Sequence, residues 1–275
     1  MGARVETHDD DLSTFAAEGA PALPTATAEG HVEHDGARIW YATYGHGAPV
    51  VLLHGGLGHS GNWGNQVPAL LASGSDYRAI LIDSRGLGRS TRDARPFTYE
   101  RMASDVLAVL DTLAVEKAAV VGWSDGACIA LILAAQAPAR VAGVFFFACN
   151  MDPSGTKEIA ESDPILSRCF GRHVRDYAAL SATPDDFEAF AEAVGLMQAT
   201  QPNYGADDLA AVRVPVTIVQ SERDEFIRRE HAEYLARSIP GADLVILPGV
   251  THFAPLQRPE QFNATMLAFV RRVLA

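Results

Sequence analysis

From His31 onward the chain alternates between short apolar runs, turn residues and stretches of helical period. His31 to Tyr44 alternates about Asp35-Gly36, a strong turn dipeptide, and predicts a β-hairpin. Apolar runs near 50–54 and 78–83, at 117–122 and from Val141 to Ala148 predict strands, the last of them fully apolar as in a sheet covered on both faces. Helical patterns lie between them. One falls around Trp63 to Ser73, and a second runs from Tyr99 to Ala114 with Met102, Val106, Val109, Leu110 and Leu113 on one stripe. A third runs from about Asp125 to Ala137 and is stopped by Pro138. After residue 212 the alternation resumes with a strand at 215–220, a helix from Arg229 to Ser238, a strand at 243–247 and a final helix from Pro259 to about Leu274. No internal repeat is present.

Two regions break this rhythm. Residues 151–212 read as helical pieces with Pro164, Pro184 and Pro202, and predict a small helical lid. Its clearest helix is expected to start at Thr183-Pro184, a cap followed by proline in the first turn. It carries Phe187, Phe190, Ala191, Val194 and Met197 at helical spacing, residues expected to dock the lid rather than to touch substrate. Residues 1–30 are rich in Ala, Pro, Thr and acids and predict a flexible arm. The expected division is therefore an arm at 1–30, an α/β core at 31–150 and 213–275, and a lid at 151–212.

The candidate chemistry sits where strands end. Val120-Val121-Gly122-Trp123-Ser124-Asp125-Gly126-Ala127-Cys128 is an apolar run that breaks into Gly-x-Ser-x-Gly and then into an Ala-rich helix, the layout of a nucleophile elbow. Such a turn lifts Ser124 clear of the sheet, and a side chain at Gly122 or Gly126 would clash in it. A serine hydroxyl needs a base to take its proton and a third group to orient that base. The strand Val214–Gln220 is followed by Ser221-Glu222-Arg223-Asp224, and the strand Ala242–Leu247 by Pro248-Gly249-Val250-Thr251-His252. Asp224 and His252 thus fall just beyond carboxyl ends of strands, where open α/β sheets build their sites. Glu222, Glu225, Asp207 and Asp208 are rival acids, and Asp224 is preferred on position. The oxyanion hole is expected from the amide of Asp125 and, in the glycine-rich loop after Pro49–Leu53, from that of Gly56, with Leu57 next in order. His54, at the start of that loop, is expected to be structural. His31 and His34 would point to opposite faces of a strand, so no metal site is expected there.

With these residues in hand, the chain from about Gly36 onward resembles the α/β-hydrolase superfamily. His54-Gly55-Gly56 looks like its oxyanion loop, and Asp83-Ser84-Arg85-Gly86-Leu87-Gly88-Arg89-Ser90 is similar to the turn after its fourth strand. Gly-Trp-Ser-Asp-Gly, with a later strand ending Phe147-Ala148-Cys149-Asn150, most resembles the valacyclovir hydrolase (biphenyl hydrolase-like) group, with Ala127 standing where a second glycine is usual. The resemblance implies an α/β fold with a mostly parallel eight-stranded sheet flanked by helices. It also bears on Asp125, where two readings stay open. An acid in the first turn of a helix is favoured by the macrodipole by about 0.3 to 1 kcal/mol. A carboxylate so near a developing oxyanion is otherwise repulsive unless neutralised, and in the resembled group the acid at this position is associated with the α-amino group of amino acid esters.

Composition narrows the partners. With 48% hydrophobic residues in 275, the chain can bury one large core. Its 22 basic and 34 acidic residues leave −12, which disfavours nucleic acid and anionic membranes and favours a cationic substrate over an anionic one. Cys128, Cys149 and Cys169 suggest no disulfide framework, and with neither a signal peptide nor an anchor in view a cytoplasmic location is expected. The expected activity is hydrolysis of small carboxylic esters through an acyl-enzyme, without metal or cofactor. Aminopeptidase or amidase, lactonase and carbon–carbon bond hydrolase activities on the same residues are the alternatives, with a non-catalytic ligand receptor beyond them. Oligomeric state is left open.

Overall fold

The predicted hairpin is made by β1 (Ala28–His34) and β2 (Ala37–Gly45), which pair antiparallel. Asp35 and Gly36 between them take φ of 42° and 80°, the left-handed pair that a two-residue hairpin turn requires. The computed structural model describes residues 10–74, 76–158 and 164–275. Residues 1–9 of the expected arm and 159–163 of the expected lid lie outside the described residues.

The remaining strands are β3 (Ala48–Leu53), β4 (Tyr77–Ile82), β5 (Ala118–Trp123), β6 (Val141–Phe147), β7 (Val216–Ser221) and β8 (Asp243–Leu247). They complete an eight-stranded sheet in the order β1-β2-β4-β3-β5-β6-β7-β8, parallel from β4 through β8. The central strands read as unbroken apolar runs because each has two faces to bury. Val51, Leu53, Val120, Val144 and Phe146 enter the core on one side, while Val50, Leu52, Val121, Phe145 and Phe147 enter the core on the other. Chain order reverses at β3, which lies between β4 and β5, and at such a point the strand ends open a crevice.

Ten helices accompany the sheet: α1 (Asp10–Glu18), α2 (Gln66–Leu71), α3 (Tyr99–Thr112), α4 (Asp125–Gln136), α5 (Pro164–Leu180), α6 (Phe187–Thr200), α7 (Ala206–Ala210), α8 (Arg229–Ser238), α9 (Ala254–Gln257) and α10 (Pro259–Val273) among the described residues. The α/β-hydrolase architecture expected from the sequence is thereby present. Local expectations needed revision in three places. The helix expected around Trp63 to Ser73 is a 3-10 turn at Ser60–Trp63 followed by the shorter α2. The helix expected to start at Thr183-Pro184 starts at Phe187 behind Asp186, since the Thr183 hydroxyl is engaged with Tyr177 Oη at 3.1 Å. Of residues 10–30, expected to belong to a flexible arm, 10–18 form α1 and 28–30 begin β1. Composition concealed two anchors: Leu12 and Phe15, three apart on one helix face, are buried against α5, and the Arg175 guanidinium donates to the Ala16 carbonyl near the end of α1.

The contact between α1 and α5 carries a titratable group. The Phe15 ring meets His173 at a centroid distance of 6.0 Å, and His173 Nδ1 is buried without a hydrogen-bond partner among the described residues. Burial penalises the imidazolium and, with Asp176 only partly offsetting it, depresses the His173 pKa to about 4. A folded value below the unfolded one means that stability is full above about pH 6.5 and is lost as pH falls from there toward 4. That interval corresponds to about 3 kcal/mol. Thermal unfolding midpoints measured from pH 7 to 4 are expected to fall more steeply for the native chain than for His173→Leu, and parallel curves would exclude this coupling.

Candidate active site

At the end of β5 the backbone turns through Ser124, whose φ of 54° and ψ of −126° lie in a region an L-residue rarely occupies. A conformation of this kind costs about 1 to 3 kcal/mol and persists only where its surroundings enforce it. The neighbours do so by close approach. A Cβ on Gly122 would stand 2.3 Å from the Gly126 carbonyl oxygen, and one on Gly126 would stand 2.1 Å from that of Leu53. The first glycine therefore lets the turn close on itself, as expected, while the second lets α4 press against the end of β3. Ser124 accepts from the Ala127 amide at 2.7 Å and donates its own amide to Phe147 at 2.8 Å, so the turn is tied to β6 as well. Its side chain is partly accessible, whereas Trp123 and Asp125 on either side are buried.

Asp224 and His252, expected to act with Ser124, meet beyond β7 and β8. His252 Nδ1 lies 3.0 Å from one Asp224 carboxylate oxygen and 3.2 Å from the other. The carboxylate is itself held, since Asp224 Oδ1 accepts from the amides of Phe226 at 2.9 Å and Ile227 at 2.8 Å. An Nδ1–H directed at this acceptor leaves Nε2 as the basic nitrogen. The imidazole is boxed by aromatic rings, with Phe226 at 4.7 Å, Phe253 at 5.8 Å and Trp123 at 6.3 Å between centroids. Trp123 directly precedes Ser124, so the histidine packs beside the residue that leads into the elbow. Glu225, a rival acid, takes a different place: its Oε2 accepts from the His252 backbone amide at 2.8 Å. Burial alone would lower the His252 pKa, yet the Asp224 carboxylate, with Glu225 and Asp125 behind it, outweighs burial and holds it above the ordinary histidine value.

Across the elbow lies the loop after β3. His54 Nε2 accepts from the Ser84 amide at 3.0 Å, so the proton resides on Nδ1, which donates to the Gly55 carbonyl at 2.8 Å. Burial also lowers its pKa. His54 thus braces the loop as a neutral imidazole. Asp83 Oδ1 accepts from the Ser60 amide at 2.7 Å and its Oδ2 from the Arg89 amide at 2.8 Å, fastening the turn after β4 to the same loop. Behind it Arg85 and Asp105 form a buried bidentate pair, with contacts of 2.6 and 3.0 Å. A Cβ on Gly55 would meet that of Ser124 at 3.1 Å, and one on Gly56 would lie 2.6 Å from Asp125 Oδ2. The loop backbone therefore runs directly over Ser124 and Asp125. The Asp125 amide, first in α4, is one of those that no carbonyl of its own helix can take.

Asp125 is buried, and its carboxylate turns away from solvent toward the lid. Its Oδ1 accepts from Tyr99 Oη at 2.9 Å, and Gln198 Nε2 lies 3.1 and 3.0 Å from Oδ1 and Oδ2. Desolvation raises its pKa, with Gln198 and Tyr99 pulling the other way. Both direct partners are neutral. A small recess of about 10 Å³ beside it is lined by Gly55, Gly56, Leu87, Met102, Val194 and Met197, among others. A larger cleft of about 270 Å³ lies elsewhere, between residues 20–23, β2 and α5, and none of the expected catalytic residues lines it.

The alpha/beta hydrolase family model matches residues 50–265. This chain belongs to that family. As a member of the alpha/beta hydrolases it is 29% identical over 265 residues to a putative carbamate hydrolase, RutD, of Azorhizobium caulinodans, covering 85% of this chain and 95% of the relative. It is 25% identical to the mouse serine hydrolase BPHL, covering 93% and 90% of the two chains. Among solved structures, Est816, described as an N-acyl homoserine lactone degrading enzyme, aligns at 30% identity with a TM-score of 0.67, covering 88% of this chain and all of that one.

Within this alpha/beta hydrolase the lid stripe noted in the sequence divides. Phe190 stacks on Tyr177 at 5.0 Å and meets Phe97 edge-on at 5.9 Å, docking α6, whereas Val194 and Met197 line the recess. Tyr99 and Gln198 were not legible as site residues, because each lies on a helix remote in sequence from the elbow. Among the described residues no helix is long and apolar enough to cross a membrane. If His252 is the base expected from the sequence, it must be neutral to act, and the acid limb of kcat/KM against pH is expected above pH 6.5. Glu225→Gln should move it to lower pH, and an unmoved limb would show that Glu225 does not act on His252.

Proposed function

We propose that the protein is a serine hydrolase that cleaves small carboxylic esters through an acyl-enzyme and prefers esters of α-amino acids. The strained turn at Ser124 and the Asp224–His252 contact support the first part. In this reading Ser124 Oγ attacks the ester carbonyl carbon while His252 Nε2 takes its proton and Asp224 stabilises the resulting imidazolium. The amides of Asp125 and Gly56 receive the oxyanion. Collapse of the tetrahedral adduct breaks the bond to the alcohol oxygen, which takes the proton from His252. Water then adds to the acyl-enzyme by the same route in reverse, releasing the acid and restoring Ser124.

The observation that carries the preference is the buried carboxylate of Asp125, whose direct partners are both neutral. The exposed-surface benefit of an acid at a helix start does not explain a carboxylate withdrawn from water at a desolvation cost. An α-ammonium is one carbon away from the carbonyl under attack, so its counter-charge must lie almost beside the nucleophile. Asp125 is adjacent to Ser124 in the chain, and its carboxylate lies against Gly56. The net charge of −12 favours approach of the same cation. The lactone-degrading description of Est816 and the carbamate hydrolase name of the RutD relative make lactones and carbamates the substrates to set beside amino acid esters.

Ser124→Ala is expected to lower kcat/KM on any ester that is turned over by roughly 10⁴-fold or more, and undiminished activity would remove Ser124 from the mechanism. Asp125→Asn is expected to cost about 30-fold or more in kcat/KM on amino acid esters and much less on the matching uncharged esters. An equal loss on both would leave Asp125 with a structural role and the substrate class open.

A further inference from the structure

We infer that Gln198 is the built-in occupant of the ammonium position on Asp125, and that its displacement sets the balance between amino acid esters and uncharged esters. The inference rests on the reading of Asp125 just proposed and adds a specificity-determining residue to it. Its starting point is an unusual placement: the single nitrogen Nε2 lies astride the carboxylate, 3.1 Å from Oδ1 and 3.0 Å from Oδ2. An amide that reached only one oxygen would leave the other lone pairs open. A nitrogen equidistant from both stands where an ammonium would place its own, with Tyr99 donating to Oδ1 as well.

Position fixes the consequence. A Cβ at Gly56 would fall 2.6 Å from Asp125 Oδ2 and 2.6 Å from Gln198 Nε2, so the carboxylate, the amide and the expected oxyanion loop converge on one point. Gln198 shares α6 with Val194 and Met197, which line the recess, but does not line it itself. The recess of about 10 Å³ that Asp125 itself lines is too small for an ammonium and its α-carbon, which leaves the place of Gln198 Nε2 as the approach to this carboxylate.

Two bound states follow. With an uncharged acyl group, Gln198 stays on Asp125, and an N–H shared between the two oxygens draws off carboxylate charge that would otherwise oppose the oxyanion. With an amino acid ester, the ammonium takes the nitrogen's place and Gln198 swings aside, exchanging a neutral donor for a charged one at the same oxygens. Gln198 thereby makes uncharged esters acceptable and imposes a displacement cost on charged ones.

The test compares alanine benzyl ester with benzyl propionate, a pair that differs by the ammonium alone, on the full-length native chain and two variants of opposite expected sign. Gln198→Leu removes the competing donor at similar volume. The ratio of kcat/KM for the amino ester over the uncharged ester is expected to rise about tenfold, through a lower KM for the former and a lower kcat for the latter. Gln198→Lys places a cation on Asp125, and the same ratio is expected to fall about tenfold or more. Ratios unchanged in both variants, while Asp125→Asn still lowers the ratio, would overturn the role of Gln198 and leave the amino acid ester reading standing. If Asp125→Asn leaves the ratio unchanged as well, both fail together.

Discussion

The whole site hangs on how closely α4 can approach the ends of β3 and β5. The left-handed turn at Ser124 exists because Gly122 and Gly126 let backbone meet backbone at distances no Cβ would tolerate. That approach does three things at once. It projects Ser124 from the sheet, starts a helix whose first amides face the same crevice, and brings the loop of Gly55 and Gly56 over the turn. The strain at one residue is offset by the packing of a sheet whose central strands are covered on both faces.

Around this turn the structure concentrates carboxylates in places where water is scarce. Asp224 is satisfied by two backbone amides and by His252, and Glu225 is tied to the His252 amide, so both support a histidine of raised proton affinity. Asp125 is different, because its donors are a phenol and a carboxamide. Buried acids that hold their charge usually have a cation, and the absence of one among the direct donors to Asp125 is what the proposed preference for amino acid esters rests on. The lid enters here through α6, which supplies both apolar lining and the amide that covers the carboxylate.

Much of this could be read along the chain. Strand runs, turn dipeptides and the Gly-x-Ser-x-Gly break are local patterns, and local patterns report which backbone geometry each segment can adopt. Asp224 and His252 were also legible, because strand ends in a parallel sheet gather on one edge whatever the loops do. Misreadings came where local composition competed with a distant partner. Ala, Pro and Thr around residues 10–30 obscured Leu12 and Phe15, whose burial depends on α5, and Thr183-Pro184 has the chemistry of a helix start but is claimed by Tyr177.

The sequence by itself determined the run of buried strands, the turn at Ser124 and the places of Asp224 and His252 beyond strand ends. Each follows from residue periodicity or from a glycine that only one backbone path requires, while the parallel sheet and the order of the three residues were what the family resemblance implied. Only the tertiary structure decided what surrounds Asp125. Tyr99 and Gln198 lie on helices 26 and 73 residues away along the chain, and nothing in the local pattern of α3 or α6 says that either points at the elbow. Packing across the sheet edge made that choice, since a carboxylate buried there had to find its hydrogen-bond donors in whatever folded against it.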